Sequence, residues 1–390
     1  MPSAASREVV TVFLRLGLTA FGGPVAHIAA MDDEVVERRR WVTRAEFTDL
    51  LSASNVIPGP NSTELAMHLG HRRAGWPGLV LAGVCFILPT TLLVWLIAWW
   101  YVQYGHRPVV SAMLAGMQPV VLAVVAQAVW RLSRSALRAG SAKLIALASV
   151  VALLLGAHEL LVLATAALAG LLLCWPRRAD TGTHPIAVAV PLSATPSIGA
   201  MTLAGGAFAM SSVAPTAGAL FLAFAKIGCV LFGSGYVLLA FLRAEFVQRH
   251  AWLTDAQLFD AIAIGQVTPG PLFSSATFVG FVLAGHAGAA AATAGIFLPA
   301  FCFVALSAPF VHRLRQSPRT AAMLDGVNSA SLAMMITVLI LLVRAMPTPV
   351  SGVVLALLAF AVLVHTRIGA GWLLLCGALI GIVQQLLVVH

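Results

Sequence analysis

Apolar runs of 18 or more residues recur from one end of this 390-residue chain to the other. Each is long enough to cross a bilayer as a helix. Only 9% of the residues are charged, against about 25% in soluble domains, and the mean hydropathy is +0.95. The chain therefore reads as an all-α polytopic membrane protein with no soluble domain. Its start, MPSAASREVV, has no basic n-region and no cleavage site, so no signal peptide is expected.

A net charge of +9 would suggest nucleic acid in a soluble protein. Here the arginines sit between apolar runs, where they set membrane topology. No basic stripe is interleaved with aromatics, which argues against a nucleic-acid partner. The five cysteines (Cys85, Cys174, Cys229, Cys302, Cys376) are far apart and form no CxxC pair. No metal, disulfide framework or cofactor is expected from them.

Shifted by 211 residues, the chain falls on itself. Phe13 meets Phe224, Arg15 meets Lys226, and Phe21 and Gly22 meet Phe232 and Gly233. Glu34 meets Glu245, Trp41 and Thr43 meet Trp252 and Thr254, and Asp49 meets Asp260. Asn55 meets Gln266, and Pro58-Gly59-Pro60 meets Pro269-Gly270-Pro271. Two related halves are expected, 1–175 and 217–390, joined by a linker over 176–216. Its 197–216 portion is weakly apolar and does not read as a full span. Each half reads as six apolar segments: about 9–31, 46–71, 76–103, 109–130, 143–156 and 158–175, then 217–242, 256–283, 287–311, 321–343, 350–365 and 369–389.

The arginines select a topology. If the segment carrying the PGP turns back, each half crosses five times. With the N-terminus outside, sixteen Lys/Arg then share the cytoplasmic side and five lie outside; Arg15 and Lys226 stay within spans. If that segment crosses fully, the same residues split about evenly, against the positive-inside rule. Five crossings turn the second half upside down, giving inverted repeats as in many secondary transporters.

The PGP then has a purpose. Proline ends the preceding helix and glycine permits the tight path between two prolines. Half-helices start after Pro60 and Pro271, capped by Asn61, Ser62 and Thr63, or by Ser274 and Ser275. Their N-termini would bind an anion near the midplane. The plainer reading is two proline kinks that only pack.

Arg15 and Lys226 each cost about 2.5–3.5 kcal/mol at the centre of a membrane helix. At matched positions they are candidates to balance an anion, with snorkelling to the surface as the alternative. Gly22, Gly23 and Gly233 would admit a ligand or another backbone. Glu64 is either a proton carrier or a carboxylate satisfied by helix N–H groups. His27 could titrate, although packing is the commoner role of such a residue; His68 and His71 flank the same region. Asn55 and Gln266 can donate to an oxyanion. Glu34, Glu245, Asp49 and Asp260 read as loop structure or capping.

The ordered, repeated set of motifs resembles the chromate ion transporter family in its long, two-half form. It comprises Phe21-Gly22-Gly23-Pro24, Trp41 to Thr43 and Asn55 to Ser62, with counterparts at Phe232-Gly233, Trp252 to Thr254 and Gln266 to Pro271. The resemblance implies a secondary transporter in the bacterial cytoplasmic membrane that exports chromate by alternating access. The dianion would be chromate or sulfate, with protons as a candidate coupling ion and a homodimer as the assembly considered. An oxyanion channel and a membrane enzyme are the competing classes.

Overall fold

The computed structural model describes residues 4–21, 23–137, 140–173, 215–232, 235–307, 318–345, 350–366 and 368–389. The linker over 176–216, apart from its last two residues, lies outside the described residues, as do Gly22 and Gly233. The described residues are helical, with no strand among them.

The first apolar segment does not cross as one helix. α1 (Ala4–Thr19) ends at the glycine-rich break, and α2 (Gly23–Asp32) leaves it and continues through a wider π-type stretch, Asp33–Arg38. Arg39 and Arg73 both donate to Glu8, at 2.9 and 2.6 Å, and Trp41 Nε1 donates to it at 3.2 Å. Residues 8, 39 and 73 therefore meet at one end of the molecule. This corrects the expected span over 9–31.

A second hairpin follows. Thr43 caps α3 (Arg44–Ser54) through a capping box with Glu46. The chain breaks at the PGP, and α4 (Asn61–Tyr104) begins directly after Pro60. α4 is itself broken at Ala74 and Gly75, the latter at φ +63°. Its limbs, 61–73 and 76–104, fold back so tightly that a Cβ on Gly70 would strike the Gly78 carbonyl and the Ala82 methyl. Arg72 donates to Glu46 at 2.8 Å, so α3 begins where the first limb of α4 ends. Neither piece is long enough to cross alone.

Four helices complete this half's framework: the second limb of α4, α5 (Pro108–Ala136), α6 (Gly140–Leu154) and α7 (Glu159–Leu173). The second half repeats the plan with α8 (Ala217–Val230), the short α9 (Leu238–Leu242) and its π-type extension Arg243–Arg249. It continues with α10 (Asp255–Val267), α11 (Ser275–Ser307), α12 (Pro318–Ala345), α13 (Val350–His365) and α14 (Ala370–Val389). Details recur too. Ala251 matches Arg40 at φ near +50°, Thr254 builds a capping box with Gln257, and α11 breaks at Ala284 and Gly285.

Five described helices are long and apolar enough to cross a bilayer: α4, α5, α11, α12 and α14. Large side chains such as Leu147, Leu161, Leu357 and Trp372 stand exposed on the outside, an apolar exterior suited to lipid. The framework helices are exchanged between halves. α5 packs on α13 and α14, and α12 packs on α6 and α7. Glycines bring the backbones together at both crossings. A Cβ on Gly377 would lie 2.7 Å from the Gly116 carbonyl, and one on Gly326 would meet Ala166 and Gly170.

Candidate functional site

The two PGP loops lock onto opposite halves. Gly59 N–H donates to the Leu231 carbonyl at 2.7 Å, and Gly270 N–H donates to the Ala20 carbonyl at 2.9 Å. Leu231 and Ala20 are themselves related by the 211-residue shift. Each loop glycine thus satisfies the break that ends the first helix of the other half. Both glycines have positive φ, +141° and +89°. Both are also enclosed: an added Cβ would overlap Glu64 Oε1 at Gly59 and Thr90 Oγ1 at Gly270.

A cavity of about 390 Å³ opens beside these loops. Its walls include Pro24, Asn55, Pro60, Asn61 and Ser62 from the first half, and Gly235, Pro271, Leu272 and Phe273 from the second. Asn61 Nδ2 donates to Asn55 Oδ1 at 2.6 Å, which leaves the Asn55 amide N–H groups to donate. The first N–H groups of α4, at Asn61 and Ser62, have no partner within the helix. His27 is buried beneath them. Its Nε2 lies 3.1 Å from the Ala20 carbonyl, so Nε2 carries a proton and donates, and Nδ1 faces Ser62 Oγ at 3.4 Å.

The other expected residues fall elsewhere. Arg15 and Lys226 do not line the cavity. Arg15 pairs with Glu34, which also accepts from Arg39 Nε at 2.6 Å. Lys226 Nζ reaches both oxygens of Glu245, at 2.7 and 2.8 Å. Glu34 and Glu245 are therefore ion-pair centres rather than loop or capping residues. Burial alone would raise the Glu34 carboxyl, but Arg39 and Arg15 hold it below the usual carboxylate range. Ser274 and Ser275 turn their hydroxyls to the carbonyls of Pro271 and Leu272, at 2.7 and 2.8 Å. The second half-helix starts with a single 3₁₀ turn, Leu272–Ser274, before α11. Glu64 and Thr63 are buried behind the loop, and their side-chain oxygens have no hydrogen-bond partner among the described residues. The helix-capped reading of Glu64 is thus not the arrangement found. Gln266 lies outside the cavity wall, where its side chain interacts with Tyr236. Gly23, at φ +78°, lies close to the Tyr236 hydroxyl. Pro58 and Pro269 open the two loops and do not line the cavity.

The structure adds residues that the repeat pattern left without a role. Asp325 and Asn328 of α12 complete the cavity wall. Asp325 presents a carboxylate, which repels an anion unless it carries a proton. Arg131, beside the wall residue Leu132, is within electrostatic reach of Tyr236. An Asp and an Asn one turn apart on an otherwise apolar helix were the available signal.

A second cavity, of about 510 Å³, lies further along α12. Thr337 and Arg344 line it, 12 and 19 residues beyond Asp325, or roughly 18 and 28 Å along the helix. Ser329 to Met335 are buried between the two. A sealed layer therefore separates two cavities at opposite ends of a bundle with an apolar exterior.

Such a fold and site define a multi-pass membrane protein built to move a small polar solute. The chromate transporter family model matches residues 7–171 and again 218–382. The chain is 31% identical over its full length to a chromate transport protein of Cupriavidus metallidurans, 96% of which is covered. It is 34% identical to one of Pseudomonas aeruginosa, over 84% of this chain and 78% of that one. A probable chromate transport protein of Synechococcus elongatus is 29% identical, over 85% and 82% of the two chains. The chain belongs to the chromate transporter family, a family of transport proteins rather than enzymes. No solved structure matches it.

Proposed function

We propose that this protein exports chromate from the bacterial cytoplasm by alternating access between two inverted halves, 1–175 and 217–390, and so confers chromate resistance. The reciprocal hydrogen bonds of Gly59 and Gly270 carry the reading, because they join both broken helices of both halves around one cavity. The names of the relatives support chromate as cargo. Each half would hold two re-entrant hairpins, the PGP one among them.

The positive-inside rule orients the molecule. Arg7, Arg38, Arg39, Arg40, Arg44, Arg72, Arg73, Arg131, Arg134 and Lys143 then share the cytoplasmic end, and Arg107, Arg243, Arg249 and Arg344 the other. In this reading the N-terminus is cytoplasmic, not outside. Inversion of the second half is supported by Arg249 Nη2, 3.3 Å from Glu159 at the start of α7, far from its repeat partner Arg38. The cavity near Asp325 would then open to the cytoplasm.

A tetrahedral dianion would be held by amide and hydroxyl donors: Asn55, Asn61, Ser62 and the first N–H groups of α4. Arg131, next to the wall residue Leu132 and within electrostatic reach of Tyr236, would supply positive charge. The inside-negative potential favours outward movement by about 2.3 kcal/mol per charge per 100 mV. His27 can couple a proton to this site. A proton on Nδ1 would make the ring donate to Ser62 and free the hydroxyl for the anion. Glu64 is a second proton carrier, since a buried carboxylate without a donor is costly to leave charged.

Chromate and sulfate flux in proteoliposomes, under an imposed potential and then a pH gradient, tests the reading. Saturable, potential-driven chromate movement is expected. Chromate that stays put while sulfate moves with protons would sink the cargo assignment. Glu64→Gln should flatten the dependence on the pH gradient; unchanged dependence removes Glu64 from coupling.

A further inference from the structure

We propose that the second cavity is a distinct oxyanion-binding vestibule on the face opposite the PGP cavity, with Arg243 as its principal ligand and Arg344 as its second. The proposal rests on the transport reading above. Arg243 is nine-tenths buried in the cavity wall. Its Nε and Nη2 make a two-point bond with Asp255, at 2.9 and 3.2 Å. Its Nη1 is buried and has no partner among the described residues. A buried guanidinium donor left unpaired is costly, and an anion oxygen is the partner its geometry suits.

The surroundings fit that ligand. Asp255 fixes the plane of the guanidinium through Nε and Nη2, so the enclosed Nη1 is the donor left over. Arg344 adds a second, exposed guanidinium to the same wall. The wall's carboxylate, Glu159, is already paired with Arg249 at 3.3 Å. The excess charge facing the cavity is therefore positive. Lys226 and His250 both face Glu245 and do not line the cavity. A tetrahedral dianion leaving the PGP cavity would meet this vestibule after the sealed layer opens.

The molecule supplies its own control. Arg243 and Asp255 sit where the first half has Asp32 and Arg44, which pair at 3.1 Å with the charges exchanged. Arg243→Asp together with Asp255→Arg would keep an ion pair of a kind the fold already accepts, and would remove the buried guanidinium. Right-side-out and inside-out membrane vesicles expose one face each. Half-saturating chromate for exchange with internal labelled chromate is measured at both.

In wild type, saturation is expected at both faces. In the exchanged pair, the ratio of outer-face to inner-face half-saturation should rise about tenfold or more, the size of a lost charge-assisted hydrogen bond. Arg344→Gln, at an exposed residue with no ion pair among the described residues, should raise the same ratio about threefold, and it reads the vestibule if the exchanged pair fails to reach the membrane. A ratio within twofold of wild type in the variants that reach the membrane overturns the vestibule. Wild type without saturable chromate exchange at the inner face overturns the transport reading itself, and the vestibule with it.

Discussion

The two hairpin regions share a backbone and differ in chemistry. Around the first PGP, Asn55, Asn61, Ser62 and Glu64 are polar; their partners in the second half are Gln266, Leu272, Phe273 and Ser275. The first half ties its hairpin ends together with Glu8, Glu34 and Glu46, held by Arg39, Arg73, Arg15 and Arg72. The Thr43 backbone N–H and Arg72 draw the Glu46 carboxyl down to about 2. Among the described residues, the second half keeps one such hub, Glu245 with Lys226 and Arg249. Symmetry thus builds the broken-helix scaffold, and departures from symmetry locate the chemistry.

That contrast can be broken at the backbone first. Gly59→Ala and Gly270→Ala should each reduce chromate transport about tenfold to a hundredfold, through about 1–3 kcal/mol of strain plus overlap with Glu64 or Thr90. Equal losses in a flux assay would support a symmetric scaffold. A harmless Gly270→Ala would make the first loop the sole structural pivot.

Polar side chains come next. Asn55→Ala should weaken chromate binding about tenfold, the loss of a hydrogen bond to a charged group, while Gln266→Ala should change it less than threefold. Matching effects, read as half-saturation, would contradict the polarity argument. Asp325→Asn removes a repelling charge, so it should tighten chromate binding by a few-fold, about 1 kcal/mol. Wild-type affinity should rise as pH falls through the Asp325 titration, and the variant should lack that component while keeping any that His27 and Glu64 contribute. The smallest effect is expected at Asp32→Arg with Arg44→Asp. Arg44 is exposed and Asp32 a quarter exposed, and a pair near the surface contributes about 0.2–1 kcal/mol, so thermal stability should hold within a few degrees.

How much of this could be read in advance follows from which interactions are local. The PGP breaks, the capping threonines and the 211-residue repeat are local patterns, and the helices begin and end close to them. The break in 9–31 was harder to see. Phe21 to Pro24 lies inside a continuous apolar run, and only the contacts of Glu8 with Arg39 and Arg73 reveal that the chain returns. Arg15 and Glu34 are 19 residues apart, outside any helical period, so their pairing left no trace in the spacing. Asp325 showed no function because the 211-residue shift places it on Leu114, an apolar residue.

The exchanged framework helices have a consequence for assembly. Gly116 of the first half seats against Gly377 and Gly381 of the second, and Gly326 against Ala166 and Gly170. Like two clasped hands, neither half closes its own grip. A lone half would expose both glycine seams to lipid, and its natural complement is another half lying the opposite way. Cutting the chain between the halves should therefore yield two fragments that remain bound to each other in the membrane.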